Sequence, residues 1–441
     1  MIKMRLYKTW VLISLIISCY PLSMFAQTIN NDADNSRVIP PKIDNTIQAL
    51  VEKGKLPSLQ IALISDNNVV WLKTYGKEAN KNLLYKIGSI EKVITATALL
   101  QLYEKGKIDI YADVNEYLPF SVWSPKFPDI PISVIMLMSH RSGLDMFQYQ
   151  FAWDTKELKN YKDQQNNNLK ILNLSEVDFM KASLDSSGMN FNPGIWKFKP
   201  GTNYCYSNSG YFILHYLIEQ VSGQTYSEYV TENIFQKLGM DHSVFSDIDS
   251  TANFSNSYTR KGDEDIKLPF LPGMYTTTED MAKFMIAHMN NGQYNGISLL
   301  QAETIELMHK KHSHGKDLFH LLSRCPYAGY GLGIIYYGDN LFGHGGSTIG
   351  YQSLWSFKKS DKSGYIISTN VNGLLYADKN FDSVWSTVSS IEKLLKSELG
   401  YSSFNRKIYN LIGIIGIGII IIIIYFRRKR KKKKKNTPHN K

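Results

Sequence analysis

The chain has 441 residues, 43% of them hydrophobic, enough to bury a large core as two lobes or as one large domain with insertions. Its formal net charge of +11 suggests nucleic acid until it is located: Lys3, Arg5 and Lys8 carry +3, residues 427–441 carry +10 with no acid, and residues 27–426 are left at −2. A basic excess confined to the two ends, with no basic folded face, excludes a nucleic-acid partner.

Residues 1–26 have the pattern of an export signal: a basic start, an apolar stretch from Trp10 to Ser18 and a cleavage point after Ala26. Ile16-Ile17-Ser18-Cys19 resembles a lipoprotein box, so lipidation at Cys19 stands as the alternative. After a linker at 27–40, residues 41–54 pattern as an amphipathic helix. Residues 59–65 and 69–76 follow as strands, joined through Asp66-Asn67-Asn68 into a hairpin. Residues 83–88 form an extended apolar approach to Ser89, and 93–100 an apolar helical run behind it. Residues 133–139 predict a short helix with Ser133 as N-cap. The polar stretch 148–170 predicts a surface insertion or lid.

Helices dominate the middle third, at 210–221 and again from Thr278-Glu279-Asp280. Strand character returns at 330–337, 351–357 and 364–370, before a last helix at 384–399. Strands at both ends with helices between them predict an α+β fold: one sheet closed by distant segments, flanked by helices, with an inserted helical lobe. The large domain spans 41–400. Beyond it, 408–426 is an apolar segment of 19 residues, about 28 Å as a helix, which predicts a transmembrane span. The cationic block that follows makes 427–441 a cytoplasmic tail and puts the large domain outside the cytoplasm, periplasmic or on the outer face, anchored in the lipid bilayer. A buried core helix is the competing reading of 408–426, and nine adjacent cations argue against it.

Three short segments carry chemistry. In Ser89-Ile90-Glu91-Lys92 the outer residues share a helix face, so the Lys92 amine can lie beside the Ser89 hydroxyl and, if desolvated, take its proton near neutral pH. Glu91 is expected to point to solvent. The same spacing recurs at Ser313 to Lys316, Ser356 to Lys359 and Ser390 to Lys393, without the strand-then-helix setting of Ser89. In Tyr206-Ser207-Asn208 a phenol near a lysine can act as phenolate and relay protons, while Asn208 offers a donor and an acceptor to Lys92 or a substrate amide. His344-Gly345-Gly346 lies just before a β-rich run, where absent side chains let a substrate approach a strand edge. The backbone N–H groups of Ser89 and Ser347 would then form an oxyanion hole. Taken singly, each segment also suits a plain structural role: a helix cap with a surface lysine, a core tyrosine, a turn histidine before two glycines.

Other candidates are weaker. His309, His312, His314 and His320 are crowded by Lys310, Lys311 and Lys316, which oppose a cation, so no metal is assigned. Cys19 lies in the signal. Export permits a Cys205–Cys325 disulfide, but the reading here is two unpaired thiols, with Cys205 a buried neighbour of the site. No phosphate-cradling loop occurs, Gly331-x-Gly333 being too short.

These segments, with Tyr85-Lys86-Ile87-Gly88-Ser89, Leu137-Met138-Ser139-His140-Arg141-Ser142-Gly143-Leu144, Pro200-Gly201-Thr202 and Gly329-Tyr330-Gly331-Leu332-Gly333, resemble the serine β-lactamase and penicillin-binding-protein superfamily, and more closely its class C-related branch, over roughly residues 40–400. The resemblance implies an acyl-enzyme on Ser89, Lys92 and Tyr206 as acid/base partners, Asn208 as a substrate or Lys92 contact, Ser347 as oxyanion donor and a structural place for His140. One departure is clear. Where class C β-lactamases usually carry Lys-Thr-Gly this chain has His344-Gly345-Gly346, and esterase, D-aminopeptidase and carboxypeptidase-like relatives often show a histidine there. A histidine titrating near neutrality offers less fixed charge for a substrate carboxylate, which favours an ester or a D-amino-acid amide.

The expectation is therefore a membrane-anchored, extracytoplasmic serine hydrolase that acts through an acyl-enzyme on a small-molecule or peptide substrate, an ester, amide or D-amino-acid peptide, without metal or organic cofactor. The alternatives are a non-turnover sensor that recognises penicillin or a wall peptide, and a membrane adaptor working through the basic tail.

Overall fold

The structure, a computed structural model, describes residues 40–145, 176–185, 188, 191–249, 251–261, 264–268, 273–313, 329–373 and 379–401. The expected signal, the 148–170 insertion, Cys325, His314, His320, the 408–426 span and the basic tail lie outside the described residues. No described helix is long and apolar enough to cross a membrane.

Pro41 opens α1 (Pro41–Lys53), where a missing N–H costs no hydrogen bond, and Ile47 and Val51 bury one face of it. The hairpin follows as β1 (Leu59–Ser65) and β2 (Asn68–Tyr75). Its turn is two residues, Asp66 and Asn67, both left-handed (φ 48° and 60°), the geometry that matches the twist of paired strands and that Asp and Asn tolerate. Five further strands complete the main sheet: β3 (Gly329–Tyr330), β4 (Ile335–Gly338), β5 (Leu341–Thr348), β6 (Tyr351–Lys358) and β7 (Ser363–Thr369). They hydrogen-bond in the order β3-β4-β5-β6-β7-β1-β2, all antiparallel. The pairing of Leu59 with Thr369 and of Ile64 with Gly364 joins the two ends of the domain, as the strand pattern predicts.

Alternation along β1 sorts two cores. Leu59, Ile61 and Leu63 pack with Leu354 and Ile367 against α1 and the terminal helix, whose Val384, Val388, Ile391 and Leu395 are buried. Ala62 and Ile64 face the helical lobe with Trp355, Phe357 and Ile366. That lobe holds α2 (Glu91–Glu104), α3 (Val134–Met138), α4 (Asn208–Ser222) and α5 (Thr278–Met289). Every residue of α2 from Lys92 to Leu102 is buried, which marks it as the lobe's central helix rather than an amphipathic surface one. Its threonines are satisfied within the helix: Thr95 and Thr97 donate to the carbonyls of Glu91 and Val93.

Four local expectations change. The 330–337 segment is two short strands, because Gly331 donates to the Ile334 carbonyl and Gly333 takes φ +74° between them. A Cβ on Gly333 would stand 2.5 Å from the Lys92 carbonyl oxygen, so this bend lies against α2. His344, Gly345 and Gly346 sit inside β5 rather than before a strand. Ser133 occupies the N-cap of α3, but its side chain makes no cap hydrogen bond. The last helix starts earlier, at Lys379, and runs to Glu398.

Candidate active site

The approach to Ser89 is a two-residue strand, Tyr85–Lys86, paired with Tyr275 and Thr276. Ser89 then lies in a single 3-10 turn, Gly88–Ile90, that runs straight into α2. Gly88 has φ +53°, and a Cβ there would stand 2.9 Å from the Ser347 N. Only glycine suits both the backbone and that approach. Half-buried Ser89 and buried Lys92 face the same way, with Lys92 Nζ 3.3 Å from Ser89 Oγ. The ammonium lies 5.0 Å from the Tyr206 ring centre and 5.3 Å from that of Tyr211. These aromatic faces hold a cation with little hydration.

Glu91 is not the solvated residue expected. It is half-buried, and burial raises its carboxyl pKa, opposed by Lys86, Lys92 and a hydrogen bond with Tyr226. The Tyr226 hydroxyl is also 3.0 Å from Thr95 Oγ1, which in turn is 3.0 Å from His215 Nε2.

Tyr206 reaches the same hydroxyl across more than a hundred residues of chain. Its phenol hydrogen-bonds Ser89, while burial pushes its pKa well up. At rest it is a neutral phenol, not the phenolate expected beside a lysine. The backbone explains its position. Ser207 is the N-cap of α4, its hydroxyl accepting from the Gly210 N–H at 3.0 Å, so Tyr206 stands just before the helix and Asn208 is its first residue. Asn208 is half-buried.

Beyond Tyr206 the wall is β5. Its pairing with β4 ends at Gly343, so among the described strands residues 344–348 pair only with β6 on one side, leaving an edge toward the Ser89 turn. The two glycines differ. A Cβ on Gly346 would overlap the Ile87 carbonyl oxygen, whereas one on Gly345 would meet only Leu354 Cδ2 at 3.6 Å. Gly346 thus admits the protein's own Ser89 turn rather than simply making room for substrate. Ser347 Oγ accepts from Asn372 Nδ2 at 2.6 Å, and the same amide reaches the Thr348 and Tyr351 carbonyls at 3.1 Å.

His344 departs from expectation in charge. It is buried, its Nδ1 is 2.6 Å from the Gly345 carbonyl oxygen and its Nε2 3.1 Å from the Tyr330 hydroxyl. Nδ1–H therefore donates to the carbonyl and Nε2 accepts from Tyr330. Burial, then the charge of Lys92, lowers its pKa to about 3. It is neutral at physiological pH and does not titrate near neutrality.

The remaining candidates fall away from this centre. Cys205 is half-buried and forms no disulfide among the described residues; burial pushes its thiol pKa up to about 12, which makes it a poor nucleophile. His309 is buried with its Nε2 3.3 Å from His288 Nδ1, and His312 bonds the Leu307 carbonyl. Among the described residues no cluster could hold a metal ion. Residue patterns missed Tyr211, Glu91 and Asn372. Tyr211 was findable, three positions after Asn208 on one helix, but nothing local marks Asn372.

The fold is that of a penicillin-binding-protein-like scaffold. The chain matches the Beta-lactamase family over residues 43–388 and belongs to that family. It is 22% identical over 355 residues to the N-acetylmuramyl-L-alanine amidase of Bacillus subtilis (strain 168), covering 65% of this chain and 73% of that one. Among solved structures it superposes on the octameric penicillin-binding protein homologue from Pyrococcus abyssi with a TM-score of 0.63 at 22% identity, covering 81% of this chain and 78% of that one. A D-stereospecific amidohydrolase from Streptomyces sp. gives 0.58 at 22% identity, covering 78% and 97%. Likenesses at this identity show the shared fold. Relatives named as hydrolases support hydrolase chemistry for the family.

Proposed function

We propose that this chain is a serine hydrolase that forms an acyl-enzyme on Ser89 and acts on an ester or a D-amino-acid amide lacking a free carboxylate at the reacting end. The observation that carries it is the meeting of two groups at the Ser89 hydroxyl, Lys92 Nζ at 3.3 Å and the Tyr206 phenol by hydrogen bond, beside the end of β5 that among the described strands pairs only with β6.

The chemistry balances with these groups alone. Lys92, once it has lost its own proton, takes the Ser89 proton as Oγ attacks the carbonyl carbon, and the oxyanion accepts from the N–H groups of Ser89 and Ser347. As the intermediate collapses, the bond to the leaving group breaks and Tyr206 gives it a proton, regaining one from the Lys92 ammonium. Water then attacks the ester on Ser89, losing its proton to Lys92, and Oγ leaves reprotonated. The substrate restriction follows from His344, which is neutral and has both ring nitrogens engaged within the protein, so it supplies no charge for a carboxylate. A D-stereospecific amidohydrolase with this fold supports the reading.

The same proposal places the hydrolase domain outside the cytoplasm, held to the bilayer by residues 408–426 and preceded by an export signal. It rests on the apolar run, the cationic block after it and the basic-apolar start.

Turnover of a p-nitrophenyl ester, a D-phenylalanine anilide, a D-Ala-D-Ala peptide and a chromogenic cephalosporin tests it. Steady turnover of the ester or anilide, about tenfold or more above the two carboxylate substrates, and its loss in Ser89→Ala are expected. Equal activity in Ser89→Ala ends the proposal, and one-to-one labelling without turnover replaces it with a penicillin-recognising or wall-peptide-binding sensor.

A further inference from the structure

Residues flanking Tyr206 converge on one histidine that takes no part in the steps above. The Cys205 N–H donates to the His140 carbonyl at 2.7 Å, and the Ser207 N–H donates to His140 Nδ1 at 3.1 Å. One residue therefore receives the backbone donors immediately before and immediately after the phenol. The rings of His140 and Tyr206 also lie 4.4 Å apart, centre to centre.

The local fold makes this a fixed bracket. His140 is fully buried and sits at φ +56°, the left-handed region, where it ends α3 and turns the chain. From there 140–145 runs alongside 195–207: Asp145 N–H donates to Ile195, Lys197 to Gly143 and Gly201 to Arg141, whose guanidinium returns to the Gly201 carbonyl. The ring is hemmed by Tyr330 at 4.7 Å and Tyr211 at 5.2 Å. Because Nδ1 accepts, the ring proton is on Nε2, and burial with the nearby charge of Lys92 keeps the imidazole neutral. A protonated ring would lose the acceptor that Ser207 needs.

We infer that His140 is a positioning residue for catalysis: its carbonyl and its Nδ1 lone pair clamp the backbone on both sides of Tyr206 and hold the phenol on Ser89. This rests on the reading of Tyr206 as a working proton carrier. A displacement of about 1 Å at a reacting group costs on the order of 100-fold in rate, so losing one jaw of the clamp should appear in kcat rather than in KM.

The test is a double-mutant cycle on the full chain with a p-nitrophenyl ester. His140→Gly keeps the left-handed backbone and the carbonyl jaw but removes the ring acceptor. His140→Asn also tolerates that φ and puts Oδ1 where Nδ1 was. Expected are a loss in kcat of about 100-fold for His140→Gly at nearly constant KM, recovery to within about tenfold for His140→Asn, and almost no further loss from His140→Gly in a Tyr206→Phe background. Equal losses in both backgrounds, or an asparagine variant as slow as the glycine one, overturn the inference while leaving Tyr206 its role. A Tyr206→Phe chain at full rate overturns both. Should His140→Gly not fold, the folded His140→Asn chain decides: near-normal kcat supports the clamp, and a loss of about 100-fold refutes it.

Discussion

The Ile87 carbonyl oxygen and the Cα of Gly346 are in direct contact, so a Cβ at 346 would overlap that oxygen. Through this contact the β5 edge is set against the turn that carries Ser89. Gly346→Ala should push the two apart, destabilising the fold by about 1–3 kcal/mol and lowering ester turnover about 100-fold. Gly345→Ala, whose Cβ meets only Leu354 Cδ2 at 3.6 Å, should change either by little. Urea midpoints and kcat for the pair check this, and equal behaviour would remove the contact from the account.

Lys92 is expected to act as the base, not only as a charge. Lys92→Ala should lower kcat by about 10²–10⁴-fold. Lys92→Arg should be nearly as slow, because a guanidinium keeps its proton at every accessible pH. Single-turnover acylation with an activated ester measures the step directly. An arginine variant close to wild type would show that the position needs charge alone.

Buried histidines, His140, His288, His309 and His344 among the described residues, make stability acid-sensitive. Burial lowers the pKa of His140, His288, His309 and His344, the second and fourth to about 3, from a usual 6.5. For His288 and His344 the unfolded chain thus binds more protons than the folded one between about pH 6.5 and 3, and His140 and His309 act in the same direction. Stability is complete above that window and falls as pH drops through it, by up to about 1.4 kcal/mol per pH unit for each such imidazole. Urea unfolding at pH 7.5, 6.5 and 5.5 should show a declining midpoint, with a shallower decline in His344→Gln. A midpoint indifferent to pH across that range is the contrary result.

Cys205 should resist alkylation. With its thiol pKa pushed up to about 12, almost no thiolate exists at pH 8. Iodoacetamide treatment of the native protein and peptide mapping should leave Cys205 unmodified until urea is added. Rapid native labelling at that residue contradicts the burial described for it.

Asn372 braces the end of β5 that carries Ser347, the proposed oxyanion donor. Asn372→Ala releases the Ser347 hydroxyl and two carbonyls, and should cost about 1–3 kcal/mol of stability together with roughly tenfold in kcat. The second effect is the informative one: a destabilised variant with unchanged kcat would mean that Ser347 keeps its place without this support.

What the sequence determined by itself is local. The hairpin at Asp66-Asn67, the apolar run of α2 and the three-residue step from Ser89 to Lys92 follow from periodicity, turn chemistry and helix geometry, each complete within a dozen residues. Spacing also singled out Tyr206 and Gly346, but not what they touch. Tertiary structure decided that Tyr206 bonds Ser89, that Gly346 meets Ile87 and that Asn372 holds Ser347, because these contacts join segments whose separation along the chain carries no distance information. It also decided charge: His344 is neutral, Tyr206 is a protonated phenol and Glu91 is drawn out of solvent, since desolvation depends on every side chain packed around a group and none of its sequence neighbours reports it. The break at 331–334 has the same origin, a bend imposed by the Lys92 carbonyl against Gly333 from 241 positions away.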